Sequence, residues 1–218
     1  MVFLVLVRVC QWINRNSPRL GTLVGLGLGV RVIAALGLFW TSYLHLPFAS
    51  SLHIGRGFWS MALDAYTYHL IGMYGAEQGL LTLPAGASSQ PFVTLLTVWM
   101  SVCGTSPFSS VLLNLTLYVA TCAAVVFGLR GLPPPAFERF GTAAVASIVA
   151  SPMMVFVSVQ PLKDPLFLFA GVLIGLGAWR IARLLDSAMP APWKPFIPGA
   201  LAIAVGIYLT AGMRYYFA

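Results

Sequence analysis

Charge is scarce in this chain. Of its 218 residues, 8% are Asp, Glu, Lys or Arg, where roughly 25% is usual in a soluble domain. Five are acidic against twelve basic, and 59% of the chain is apolar. With a mean hydropathy of +0.89, this excludes an ordinary soluble domain and predicts an integral membrane protein. Cysteine is also scarce. Cys10, Cys103 and Cys122 are odd in number and lie in apolar stretches without metal-ligand spacing, so they read as small core residues. The net charge of +7 is the basic balance that membrane orientation produces, which sets nucleic acid aside as a partner. The run Gly25-Leu-Gly27-Leu-Gly29 follows no strand and displaces the third glycine of a dinucleotide loop, so it reads as membrane helix.

What is present is a series of long apolar runs, read as one all-α membrane domain over 1–218. Each crossing needs about 20 apolar residues. Met1 to Ile13 is short and carries Arg8, which suits an interfacial or cytoplasmic lead-in that is not a cleaved signal. The first span is expected from about Leu20 to Phe48, with Gly21, Gly25 and Gly29 seating a close helix neighbour. Residues 49–107 then form an extracytoplasmic loop of interfacial helices, rich in Tyr66, Tyr68 and Tyr74, with a short apolar helix from Pro91 to Gly104. Further spans are expected at Phe108 to Leu129, Phe140 to Val159 with a kink at Pro152, Pro165 to Leu185, and from Ile197 onward, making about five.

Counting charges loop by loop gives a side to each end. With the N-terminus cytoplasmic, the inside takes Arg8, Arg15, Arg19, Arg130, Arg139, Arg180, Arg183 and Lys194, while the outside keeps Arg56, Lys163 and Arg214. The same map gathers Asp64, Glu77 and Asp164 on the outer face. Arg31 is left inside a span, at a cost on the order of 3 kcal/mol. Either it partners Asp64 or a lipid phosphate, or the span slides so that it snorkels inward. Asn114-Leu-Thr116 matches a glycosylation acceptor, but it falls within a span and is discounted.

The order of first span, Asp64-Ala-Tyr66-Thr-Tyr68-His69, Gln90-Pro91-Phe92, and Gln160-Pro161-Leu162-Lys163-Asp164-Pro165 resembles the N-terminal module of GT-C membrane glycosyltransferases. Protein mannosyltransferases and aminoarabinose transferases are the nearest types. The resemblance implies sugar transfer outside the cytoplasm of a bacterial inner membrane. The donor would be a polyprenyl-phosphate-linked sugar and the acceptor a glycan, lipid or protein, with Asp64 at the reaction centre. Such enzymes carry more spans and usually a C-terminal outer domain, so a fragment or a short relative is expected here.

The residue types suit that chemistry by themselves. An attacking hydroxyl must lose its proton, and a carboxylate such as Asp64 within hydrogen-bond reach serves as general base. A helix starting nearby favours its charged form; equally, Asp64 is read as a plain helix cap. A departing lipid phosphate calls for cations or a divalent metal ion. Lys163 and Arg214 supply the first, and Asp164 either orients Lys163 or helps hold the second. A plain interfacial anchor followed by an Asp-Pro helix start is the alternative for Lys163 and Asp164, and snorkelling the alternative for Arg214. Arg56, Tyr68 and His69 complete the substrate-binding candidates, His69 being read also as a structural hydrogen-bonding residue. A non-catalytic membrane subunit and a transporter remain rival classes, though no internal repeat supports the latter.

Overall fold

Serine followed by proline starts three of the helices. Ser17, Ser106 and Ser151 each stand at an N-cap with Pro18, Pro107 or Pro152 as the first helical residue. Each hydroxyl accepts the backbone N–H three residues on, at 3.2–3.3 Å. Proline has no N–H to waste at that position, and its fixed φ is already helical. The computed structural model describes residues 2–80, 89–185 and 196–212. Their order is α1 (Val2–Asn16), α2 (Pro18–Tyr43), a hairpin of β1 (His53–Gly55) and β2 (Phe58–Trp59), α3 (Leu63–Gln78), α4 (Gln90–Cys103), α5 (Pro107–Leu129), α6 (Pro134–Ala150), α7 (Pro152–Ser158), α8 (Asp164–Leu185) and α9 (Phe196–Ala211).

Three of these, α2, α5 and α8, are long and apolar enough to cross a membrane; α6 and α7, bent by 61° at their break, make a fourth if counted as one. The expected kink at Pro152 is therefore present. The described part of α9 has 16 residues, about 24 Å of helix against a hydrocarbon layer of roughly 30 Å. Large apolar side chains such as Leu26, Val30 and Ile33 stand exposed along α2, as a lipid-facing surface requires.

The expected first span is shorter than read from the sequence. It stops at Tyr43, and the chain then turns into the hairpin, a small exception to the all-α expectation. Gly55, Arg56 and Gly57 all have positive φ at the hairpin tip. A side chain at Gly57 would strike the Phe39 ring, so two constraints demand glycine there. Ser42 donates to the Phe58 carbonyl at 2.7 Å and the Trp59 indole to the Leu38 carbonyl at 3.0 Å, two bonds that tie the hairpin to α2.

The most buried helix is α5. At one end it packs with α1, α2 and α6 through Ile13, Leu20, Val24, Cys122, Val126 and Val145; at the other, Leu113 and Leu117 meet α3, α4 and α8 through Tyr68, Phe92, Leu96 and Leu166. Of the glycines expected to seat a helix neighbour on α2, Gly21 does so, with Asn14 of α1 against it. Gly25 and Gly29 face open space, whereas Gly27 lets the Tyr118 hydroxyl and Val149 approach.

Arg31 is fully buried, and its place follows from Pro152. The Ile148 carbonyl would ordinarily accept from residue 152, which as proline has no N–H. The Arg31 Nη2 donates to it instead at 2.9 Å, Nη1 donates to the Gly27 carbonyl at 3.1 Å, and the guanidinium lies 4.0 Å over the Tyr118 ring. These partners, not Asp64, account for a mid-span arginine, and it does not snorkel.

Candidate functional site

Ser89 is the serine that breaks the capping pattern. It precedes Gln90-Pro91 at the start of α4, but its backbone is left-handed (φ 66°) and its hydroxyl does not cap the helix. It is turned instead into the protein, where Lys163 Nζ donates to it at 2.9 Å and the Tyr68 hydroxyl lies 3.2 Å away. An ammonium only donates, so Ser89 Oγ is the acceptor of that bond. The Lys163 nitrogen also stands 6.0 Å from the Tyr68 ring centre, and Tyr68 meets Phe92 edge to face. One buried hydroxyl thus joins α3, the start of α4 and the start of α8.

Lys163 is held by its turn as much as by Ser89. Asn114 of α5, fully buried, sends its amide nitrogen to the carbonyls of Val157 (3.3 Å), Gln160 (2.6 Å) and Leu162 (3.0 Å). Pro161 lacks the N–H that the Val157 carbonyl would have taken in a continuing helix, as at Pro152. Asn114 is a clamp on the α7–α8 turn, buried where no glycosylation acceptor would stand.

Asp64 lies in the first turn of α3, exposed, with Ala62 at the N-cap, so it is not itself the cap. The helix dipole still favours its negative charge there. Tyr68 stands one turn further on, about 6 Å along the axis. Leu162 packs against Phe58, Ala62 and Ala65 at the start of α3. The residue before Lys163 therefore packs on the cluster from which α3 starts, and both regions occupy the same end of the bundle. Asp164 begins α8 and is half-buried.

The remaining candidates divide. His69 is buried, with Nδ1 3.2 Å from the Ser110 hydroxyl and its ring 5.1 Å from that of Phe58. Since Ser110 donates to the Pro107 carbonyl at 2.8 Å, Nδ1 carries the hydrogen and donates to Ser110. Burial holds the imidazole below its usual pKa and so neutral. His69 thus ties α3 to the start of α5, the structural role read beside the functional one. Arg56 is exposed at the hairpin tip, joined to Ser89 and Lys163 by no described bond. Arg214 lies outside the described residues. Among the described residues, no three His, Cys, Asp or Glu side chains gather as metal ligands, so Asp164 has no described cage to share.

Ser89 and Ser110 went unread in the sequence, and Asn114 was read only as part of a glycosylation pattern. The signals were there: a serine ahead of Gln-Pro at a helix start, another in the first turn of α5, and an asparagine amid an apolar run. No protein-family model, curated protein or solved structure matches this chain.

Proposed function

We propose that the chain is a membrane glycosyltransferase module that moves a sugar from a polyprenyl-phosphate-linked donor to an acceptor hydroxyl. The observation that carries this reading is the junction at Ser89, which fixes Lys163 beside the helix whose first turn bears Asp64. In the reaction, the acceptor oxygen bonds to the anomeric carbon as the bond from that carbon to the phosphate oxygen breaks. The hydroxyl proton passes to the Asp64 carboxylate, and the Lys163 ammonium faces the charge gathering on the departing phosphate. Asp64 has the exposure that a base meeting an outside acceptor needs, and Lys163 the fixed position that electrostatic stabilisation needs. No step here runs through a metal.

The topology that goes with the reading has an N-terminus in the cytoplasm of a bacterial cell, five spans with α9 as the last, and the Asp64 end outside the inner membrane. Its support is the charge distribution: Arg130, Arg139, Arg180 and Arg183 lie at the end opposite Asp64 and Lys163.

In purified full-length protein, Asp64→Asn is expected to lower transfer from a polyprenyl-phosphate sugar by about a hundredfold or more while leaving the fold intact. Normal turnover by that variant would overturn the assignment. A second reading, a non-catalytic membrane subunit, draws on Gly25 and Gly29. They stand exposed at helical i, i+4 spacing on α2 with nothing against them, as a helix-association face would. It predicts no transfer by the unaltered chain with any lipid-linked sugar.

A further inference from the structure

At the end of the bundle away from Asp64, the last turns of α5 and α8 and the start of α9 enclose a groove of about 550 Å³. Its walls are largely apolar, Phe127 and Leu176 among them, and three arginines line it: Arg130, Arg180 and Arg183. No acidic side chain is among its described lining residues. Two of the guanidiniums are held in place. Arg130 donates to the Asn16 side chain and lies 4.6 Å over the Trp12 ring; Arg183 donates to the Gly131 carbonyl at 3.2 Å and lies 5.0 Å over Trp179. A guanidinium has five N–H donors, so each keeps donors to spare, and Arg180 is exposed beside them.

We infer that this groove binds an anionic membrane phospholipid, its phosphate on the arginines and its acyl chain along the apolar wall. Three cations, two of them fixed, with no counter-charge among the described lining residues, complement a phosphate, which arginine meets through paired N–H donors. The position is right for a lipid already in the bilayer: basic pockets between spanning helices take phosphate headgroups, and an apolar wall beside them suits the chain. Stacking on Trp12 and Trp179 holds two guanidiniums before the ligand arrives, which cuts the ordering cost of binding. The site is separate from the Ser89 junction and does not depend on its chemistry.

The test is titration of the detergent-purified full chain with phosphatidylglycerol or phosphatidylcholine, counting bound lipid by native mass spectrometry. The unaltered protein is expected to prefer phosphatidylglycerol. Arg180→Gln with Arg183→Gln should weaken that lipid by about thirtyfold and leave phosphatidylcholine unchanged. Arg180→Lys with Arg183→Lys should keep the preference. The control is Arg19→Gln with Arg139→Gln, which removes the same charge from the same end but outside the groove lining. It is expected to bind like the parent. Equal binding of the two lipids by the parent, or an equal loss in the control pair, overturns the inference. Should the first pair fail to fold, Arg180→Gln alone carries the test, with a loss of about fivefold.

Discussion

Arg31 and Asn114 solve the same problem in two places. A proline withholds the N–H that a carbonyl one turn earlier would have taken, and a buried side chain from another helix supplies the donor. Coupling between each pair follows. Arg31→Met keeps much of the volume but orphans the Ile148 carbonyl, and is expected to cost about 1–3 kcal/mol of stability. In a Pro152→Ala background that carbonyl regains a backbone donor, so the same replacement should cost at least about 1 kcal/mol less, as denaturant unfolding in detergent would show. Equal costs in both backgrounds would separate Arg31 from the proline. The sequence made Arg31 conspicuous as a charge amid apolar neighbours but not explicable, because its partner carbonyl lies 117 residues away. Asn114 drew notice only as a glycosylation pattern, and its clamp exists only once the α7–α8 turn folds back on α5.

The elements were more legible than the contacts between them. The short helix expected at 91–104, the span at 108–129 and the span at 165–185 each lie within a residue of α4, α5 and α8, since Pro91, Pro107 and Pro165 mark their starts. The hairpin was missed because strands of three and two residues are too short to show alternation. Packing of α8 on α9 was equally hidden, resting on glycines that look interchangeable. A Cβ at Gly177 would sit 2.6 Å from the Gly199 carbonyl oxygen, whereas one at Gly171 or Gly175 meets nothing within 4 Å. Gly177→Ala is therefore expected to destabilise by about 1–3 kcal/mol. Gly175→Ala should instead be neutral or raise stability by up to about 1 kcal/mol through helix propensity. Thermal unfolding of the two variants side by side checks the contrast. Destabilisation by both in equal measure would show that the seam is not where this packing has it.

Among the described residues, Arg15, Arg19, Arg130, Arg139, Arg180 and Arg183 collect at one end and Asp64, Lys163 and Asp164 at the other. That separation was readable from charge alone, a hundred residues of sequence notwithstanding, because position along a span fixes which end a loop reaches. What charge could not tell is that Lys163 is bound into Ser89 and Tyr68 while Asp64 stays outside that network. In a chain whose own Cys10, Cys103 and Cys122 are replaced by alanine, cysteines placed at 64 and 56 should react with an impermeant reagent from one side of sealed vesicles. A cysteine at 139 should react only from the other. Labelling of 64 and 139 from the same side would overturn the two-ended arrangement.

The Asn114 clamp decides which part of the protein Lys163 follows. The lysine precedes a helix that shows apolar side chains to its surroundings, yet its turn is fastened to the most enclosed helix of the bundle. Should bilayer thickness change and outer helices tilt to match it, the ammonium is expected to keep the coordinates of the interior rod to which Asn114 fastens its turn.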